Sequence, residues 1–152
     1  REMNFKLTVR DNNAEAGQVA FDELKVTVTD AAGPFKVTSQ NVVDVVWSKN
    51  TSETITWDIA GTTGNGINVS HVNILMSVDG GRTFPITLIA NTPNDGSQNI
   101  TVPDTSASKC FVMVEAVESF FYSVNTKVFS IGEFNEVCKT FVAEDIPADI
   151  PD

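Results

Sequence analysis

Hydrophobic and polar residues alternate one by one along most of this chain, the period of a strand with one buried face. Phe5, Leu7 and Val9 alternate with Lys6, Thr8 and Arg10 until Asp11-Asn12-Asn13 and Gly17 break the run. Leu24, Val26 and Val28 then alternate with Lys25, Thr27 and Thr29. These segments predict a hairpin over residues 1–30. A lone hairpin is marginal in water, so this one is expected to pair beyond itself and reads as the terminal hairpin of a preceding module. Ala31-Ala32-Gly33-Pro34 reads as a linker.

From residue 35 the alternation continues. Phe35, Val37 and Ser39 open a first strand, and Val43, Val45 and Trp47 form an edge segment. Ile55, Trp57 and Ile59 alternate with Thr54, Thr56 and Asp58. Gly61-Thr62-Thr63-Gly64-Asn65-Gly66 predicts an irregular loop. Val72, Ile74, Met76 and Val78 make the next inward face, and Phe84, Ile86 and Leu88 lie on the returning strand. Ile100 and Val102 follow the Asn94-Asp95-Gly96 turn. Cys110 to Val117 is apolar on both faces, as a central strand is, and Phe129 and Ile131 close the set. No helical period extends over about ten residues. Short strands with turn signals every ~8–12 residues predict an all-β fold of the two-sheet sandwich kind over residues 35–131, with Ile55, Trp57, Ile74, Met76, Val112 and Val114 buried. Residues 132–152 read as an acidic extension.

Trp57 on the second main strand, with Cys110, Val112, Val114 and Ala116 alternating on the penultimate one, resembles a fibronectin type III or related immunoglobulin-like domain. That family usually has a tyrosine where Cys110 stands. The preceding module that ends in the hairpin over residues 1–30 reads as immunoglobulin-like too. A wider resemblance runs through Phe5-Lys6-Leu7-Thr8-Val9-Arg10-Asp11-Asn12-Asn13, Ala32-Gly33-Pro34-Phe35, Ile55-Thr56-Trp57-Asp58-Ile59-Ala60-Gly61-Thr62 and Val72-Asn73-Ile74-Leu75-Met76-Ser77-Val78-Asp79-Gly80-Gly81. It is similar to the post-catalytic region of secreted bacterial reprolysin-like zinc metallopeptidases. The resemblance implies an exported, disulfide-permissive setting and neighbouring domains of a metallopeptidase parent, whose zinc ligands would lie in the catalytic domain. It places no catalytic residue on this chain.

Charge narrows the partners. Lys plus Arg number 10 and Asp plus Glu 20, for a net charge of −10. Such a surface repels phosphate backbones and anionic membranes, so nucleic acid is not an expected partner. No apolar run is long enough to insert in a bilayer. Half the excess negative charge falls in residues 131–152, where six acids face one lysine.

Ser77-Val78-Asp79-Gly80-Gly81-Arg82-Thr83-Phe84 resembles the sialidase Asp-box, S-x-D-x-G-x-T-W, with Phe in the last place. Asp79 is expected to accept backbone N–H groups across the turn, Gly81 to take a positive φ, and Phe84 to pack beneath the hairpin. In the sialidase-like families the box is a folding element, and Asp79, Gly81, Thr83 and Phe84 are therefore expected to be structural. His71 is the sole histidine, and no G-x-S-x-G or H-E-x-x-H motif accompanies it. The chain is accordingly expected to be non-catalytic.

Asp11, Asp22 and Asp30 near the ends of the first hairpin are candidate calcium ligands, with ordinary Asx turns as the competing reading. No other cofactor is expected. Cys110 and Cys138 form a single even pair, which in an exported protein suggests a disulfide. The antiparallel return of the last strand would bring Cys138 back to Cys110. The alternative is a buried free thiol at Cys110. Two functions remain open: a spacer or protein-interaction module, or a module binding polysaccharide or a surface. The second needs exposed aromatics, for which Trp47, Phe120, Phe121 and Tyr122 are the candidates, unless they cap the core. Self-association through the first hairpin is a further expectation.

Overall fold

A computed structural model describes residues 1–132, and these contain strands and turns with no helix. The strands are β1 (Glu2–Arg10), β2 (Val19–Thr27), β3 (Lys36–Val37), β4 (Val46–Trp47), β5 (Ser52–Asp58), β6 (His71–Ser77), β7 (Ile86–Pro93), β8 (Ser97–Thr101), β9 (Ala107–Ala116), β10 (Tyr122–Val124) and β11 (Phe129–Ile131). The fold is all-β.

Strands β3, β5 and β8 form one antiparallel sheet. A second sheet runs β4-β11-β9-β6-β7, with β10 also paired to β9. Its β4–β11 contact is parallel, whereas every other pairing is antiparallel. β9 is central: β6 lies along one side, and β10 and β11 lie end to end along the other.

The inner faces of the two sheets share one core. Ile55 and Trp57 of β5 and Ile100 of β8 meet Val72, Ile74 and Met76 of β6, Cys110, Val112 and Val114 of β9, and Phe129 and Ile131 of β11. The six residues expected inside are all buried. Period-two alternation is decisive here because a one-residue slip would turn the whole apolar set to water.

The edge segment departs from its pattern. Asp44 takes a φ of +60°, which breaks the alternation expected of Val43, Val45 and Trp47. Val43 is left exposed while Trp47 is buried, and only Val46–Trp47 pairs as strand. Phe84 lies before β7, which starts at Ile86.

The β1–β2 hairpin stands apart as its own two-stranded sheet. Its register pairs Met3 with Val26, Phe5 with Leu24, Leu7 with Asp22 and Val9 with Ala20, so one face is apolar but for Asp22, while Val19 and Phe21 lie on the other. That face is uncovered: Phe5, Leu7, Val9 and Leu24 are each more than half exposed (54%, 69%, 59% and 63%). The opposite face carries the Lys6–Glu23 and Lys25–Glu2 ion pairs, and Lys6 Nζ lies 3.7 Å from the Phe21 ring centroid.

Candidate functional site

The turn between β6 and β7 is a closed hydrogen-bond cage around Asp79. Thr83 Oγ1 donates to Asp79 Oδ2 at 2.7 Å and Ser77 Oγ donates to Oδ1 at 2.7 Å. The Thr83 and Arg82 amides donate to Oδ1 at 3.1 and 3.0 Å. Ser77 Oγ also accepts the Gly81 amide at 2.9 Å, and Gly81 has a φ of +82°, which glycine adopts without strain. These bonds, led by the Thr83 hydroxyl, hold the Asp79 carboxyl well below the usual carboxylate range. A carboxylate so fully engaged has little left for a substrate, which fits the structural role expected for Asp79, Gly81 and Thr83. Phe84 is half-buried beside them.

The calcium candidates do not converge. Asp11 Oδ1 accepts the Asn13 and Gln18 amides at 3.2 and 3.0 Å, an Asx turn at the tip of the hairpin. Asp22 pairs with Leu7 within the strands, four residues or roughly 13 Å from Asp11 at a strand rise of ~3.3 Å. Asp30 follows the opposite end, more than about 20 Å from the tip. One ion cannot bridge these positions. Among the described residues no group of three His, Cys, Asp or Glu side chains is placed to hold a metal.

Cys110 is a fully buried free thiol whose Sγ lies 3.5 Å from the Ala107 carbonyl oxygen, and burial pushes its pKa up to about 11. The expected bridge is therefore not seen from the Cys110 side. Cys138 lies outside the described residues.

The aromatic candidates separate. Trp47 is 1% exposed and packs on Phe129 with ring centroids 4.2 Å apart, so it belongs to the core and not to a ligand platform. Phe121 packs edge-on against Phe35 at 5.0 Å. Phe120 is fully exposed, and Tyr122 is 64% exposed.

A groove of about 260 Å³ opens at the end of the larger sheet where β6 begins. It is lined by Ile67, Asn68, Val69, Ser70, His71 and Asn91, with Val117 and Glu118 from the β9–β10 turn. His71 heads β6 and faces outward because Val72, Ile74 and Met76 face in. Its Nδ1 lies 2.9 Å from Ser70 Oγ. Among the described residues no carboxylate hydrogen-bonds to this Ser–His pair.

The groove's walls are pinned by residues the sequence did not mark. Asn94 is buried; its Oδ1 accepts Trp57 Nε1 at 2.8 Å, and its Nδ2 donates to Thr62 Oγ1 and the Val69 carbonyl, both at 3.1 Å. The loop after β5, expected to be irregular, is thereby wound into successive turns against the core. Asn91 sits at a β-bulge: β6 advances two residues from Val72 to Ile74 while β7 spans three from Thr92 to Ile89. The Asn91 amide donates to Asn73 Oδ1 at 2.9 Å, and Asn73 Nδ2 donates to Glu115 Oε1 at 3.1 Å. Asn94-Asp95-Gly96 reads as a turn in the sequence, and the inward rotation of Asn94 makes it an anchor as well.

No protein-family model matches the chain, and no curated protein matches it.

Proposed function

We propose that this chain is a non-catalytic accessory module of a secreted bacterial metallopeptidase, acting as a spacer or protein-interaction unit beside the catalytic domain. The observation that carries the modular reading is the β1–β2 hairpin. Its apolar face is uncovered, and neither outer strand edge pairs with the rest of the described residues. A second copy docked face to face would cover a strip of roughly 300 Å², from nine residues at ~3.3 Å rise and two strands ~4.8 Å apart. Stable interfaces bury about 800 Å² per partner. Such a dimer would also leave both edges open. Further strands of a neighbouring β unit in the parent would satisfy edges and face together.

An immunoglobulin-like or fibronectin type III-like sandwich is the architecture we assign to the body. The pairing supports it: β3-β5-β8 corresponds to strands A-B-E, and β7-β6-β9-β11 to C′-C-F-G. The secreted, bacterial and metallopeptidase parts of the reading rest on the sequence resemblance. The Ser77–Phe84 cage is consistent with an Asp-box acting as a turn lock. Extracellular protein and the parent's own domains are the proposed partners.

Amide hydrogen exchange tests the modular reading. In the 152-residue chain, amides of β1 and β2 are expected to exchange far faster than those of β6 and β9, and to gain protection in the longer parent. Protection of β1 and β2 equal to that of β9 in this chain alone would overturn it. Purified chain is expected to leave casein and sialosides intact; turnover abolished by His71→Ala would refute the non-catalytic reading.

A further inference from the structure

We infer that the groove at the start of β6, with the exposed Phe120 on the turn that contributes Val117 and Glu118 to its lining, is a binding site for a neutral saccharide. This goes beyond a spacer role and stands on a different surface from the hairpin.

The groove is small and polar. At about 260 Å³ it falls below the ~300–1,000 Å³ of sites for drug-sized ligands, a size suited to one ring of a larger molecule. Its lining offers the side-chain amides of Asn68 and Asn91, the Ser70 hydroxyl, the His71 imidazole and the Glu118 carboxylate. These are mixed donors and acceptors on planar groups, the chemistry that pairs with neighbouring hydroxyls, which both give and take a hydrogen bond. Glu118 and the net charge of −10 disfavour an anionic ligand. An extended peptide would want apolar pockets for its alternate side chains, and the groove, with its mainly polar lining, supplies none.

Aromatic surface lies where a sugar ring needs it. Phe120 belongs to the same short turn as Val117 and Glu118, closed by the Ala116 amide donating to the Phe121 carbonyl at 3.0 Å. Two residues separate its Cα from that of Glu118 by at most about 7 Å. A fully exposed phenylalanine at a loop tip costs solvation and gives nothing to this chain's own packing. Tyr122 pairs across from Glu115, and Glu115 from Asn73, so Tyr122, Glu115 and Asn73 form a row on the outer face that leads to Asn91. Tyr122 lies two strand spacings, about 10 Å, from Asn73 on that face, so Phe120 is the exposed ring carried by the groove's own turn.

The surface is built rather than incidental. The Val117 amide donates to the His71 carbonyl at 3.1 Å, tying the turn to β6. Asn68, Asn91 and Glu118 all hold positive φ (55°, 53° and 56°). Asparagine tolerates this, but glutamate does not favour it, and glycine would relieve it.

Saturation-transfer difference NMR of the 152-residue chain with millimolar cellobiose, chitobiose and lactose tests the site. At least one is expected to receive saturation and to shift the side-chain amide signals of Asn68 and Asn91. Phe120→Ala, which removes no buried contact, is expected to weaken binding about three- to tenfold, the worth of one aromatic stack. The His71→Ala/Glu118→Gly double variant is expected to abolish it, with an unchanged urea midpoint showing that the fold is intact. Absence of transfer to all three sugars, shifts confined to another surface, or unchanged binding in both variants would overturn the inference.

Discussion

Asn94→Ala removes the side chain that joins the β5 tryptophan to the glycine-rich loop. Two buried groups lose their partner at once: Trp57 Nε1, held at 2.8 Å, and the Val69 carbonyl, held at 3.1 Å. The Thr62 hydroxyl keeps its donation to the Ile59 carbonyl at 2.7 Å and is little affected. A buried polar group left unpaired costs about 1–3 kcal/mol, so two cost about 2–6, and water entering from the nearby groove brings the expectation to about 3 kcal/mol. That is a large share of the ~5–15 kcal/mol by which domains are stable. With a urea slope near 2 kcal/mol/M, the unfolding midpoint should fall by about 1.5 M, read by tryptophan fluorescence. Trp57→Phe should cost less in the Asn94→Ala background than in the native one, since the bond it removes is already gone. A midpoint lowered by less than about 0.3 M, or strictly additive effects, would refute the anchoring role.

Three other outcomes follow from the same geometry. Asp79→Asn, which replaces one acceptor oxygen by an NH2 donor and so loses either the Thr83 hydroxyl bond at Oδ2 or the bonds at Oδ1, should lower the melting temperature at neutral pH. Because the folded Asp79 carboxyl lies below its ordinary 3.8, its contribution is present above that value and lost as pH falls below it, so variant and wild type should converge in acid. Cys110 should resist Ellman's reagent in the folded chain at pH 8 and react once guanidinium unfolds it; failure to react in the unfolded, unreduced chain would show it bridged. Its pKa is raised from 9.0 to about 11, so the stability linked to the protonated thiol should hold below pH 9 and decline above it. Asn125→Ala should destabilise by about 2–4 kcal/mol in urea unfolding, because it strips partners from the buried Val112 amide at 2.8 Å and the Gln40 carbonyl at 2.8 Å.

Much of this protein is written in its alternation. Burial of Ile55, Trp57, Ile74, Met76, Val112 and Val114 was legible because strand side chains alternate strictly, and a run of like positions must share a face. The Asp79 turn was legible for a related reason: its donors and acceptor lie within seven residues, from Ser77 to Thr83, so local sequence contains every partner. The hairpin was legible too, from two alternating runs around a turn, although its register, which sets Asp22 opposite Leu7, was not.

Only tertiary structure decided the rest. Trp47 and Phe120 are both aromatics near turns, yet one is sealed against Phe129 and the other stands in water, because their environments come from strands far away in sequence. The asparagines show it most plainly. Asn94 reads as a turn residue, and Asn41 and Asn125 carry no signal in the sequence pattern, yet they bind partners up to 85 residues away, as Asn41 does with Thr126. An amide that caps its own turn and one that ties a distant loop have the same local sequence; the difference is which backbone group the folded sheets bring within 3 Å. The groove at His71 is of this kind, assembled from the start of β6, a bulge in β7 and the turn after β9, segments that share no pattern until the strands align.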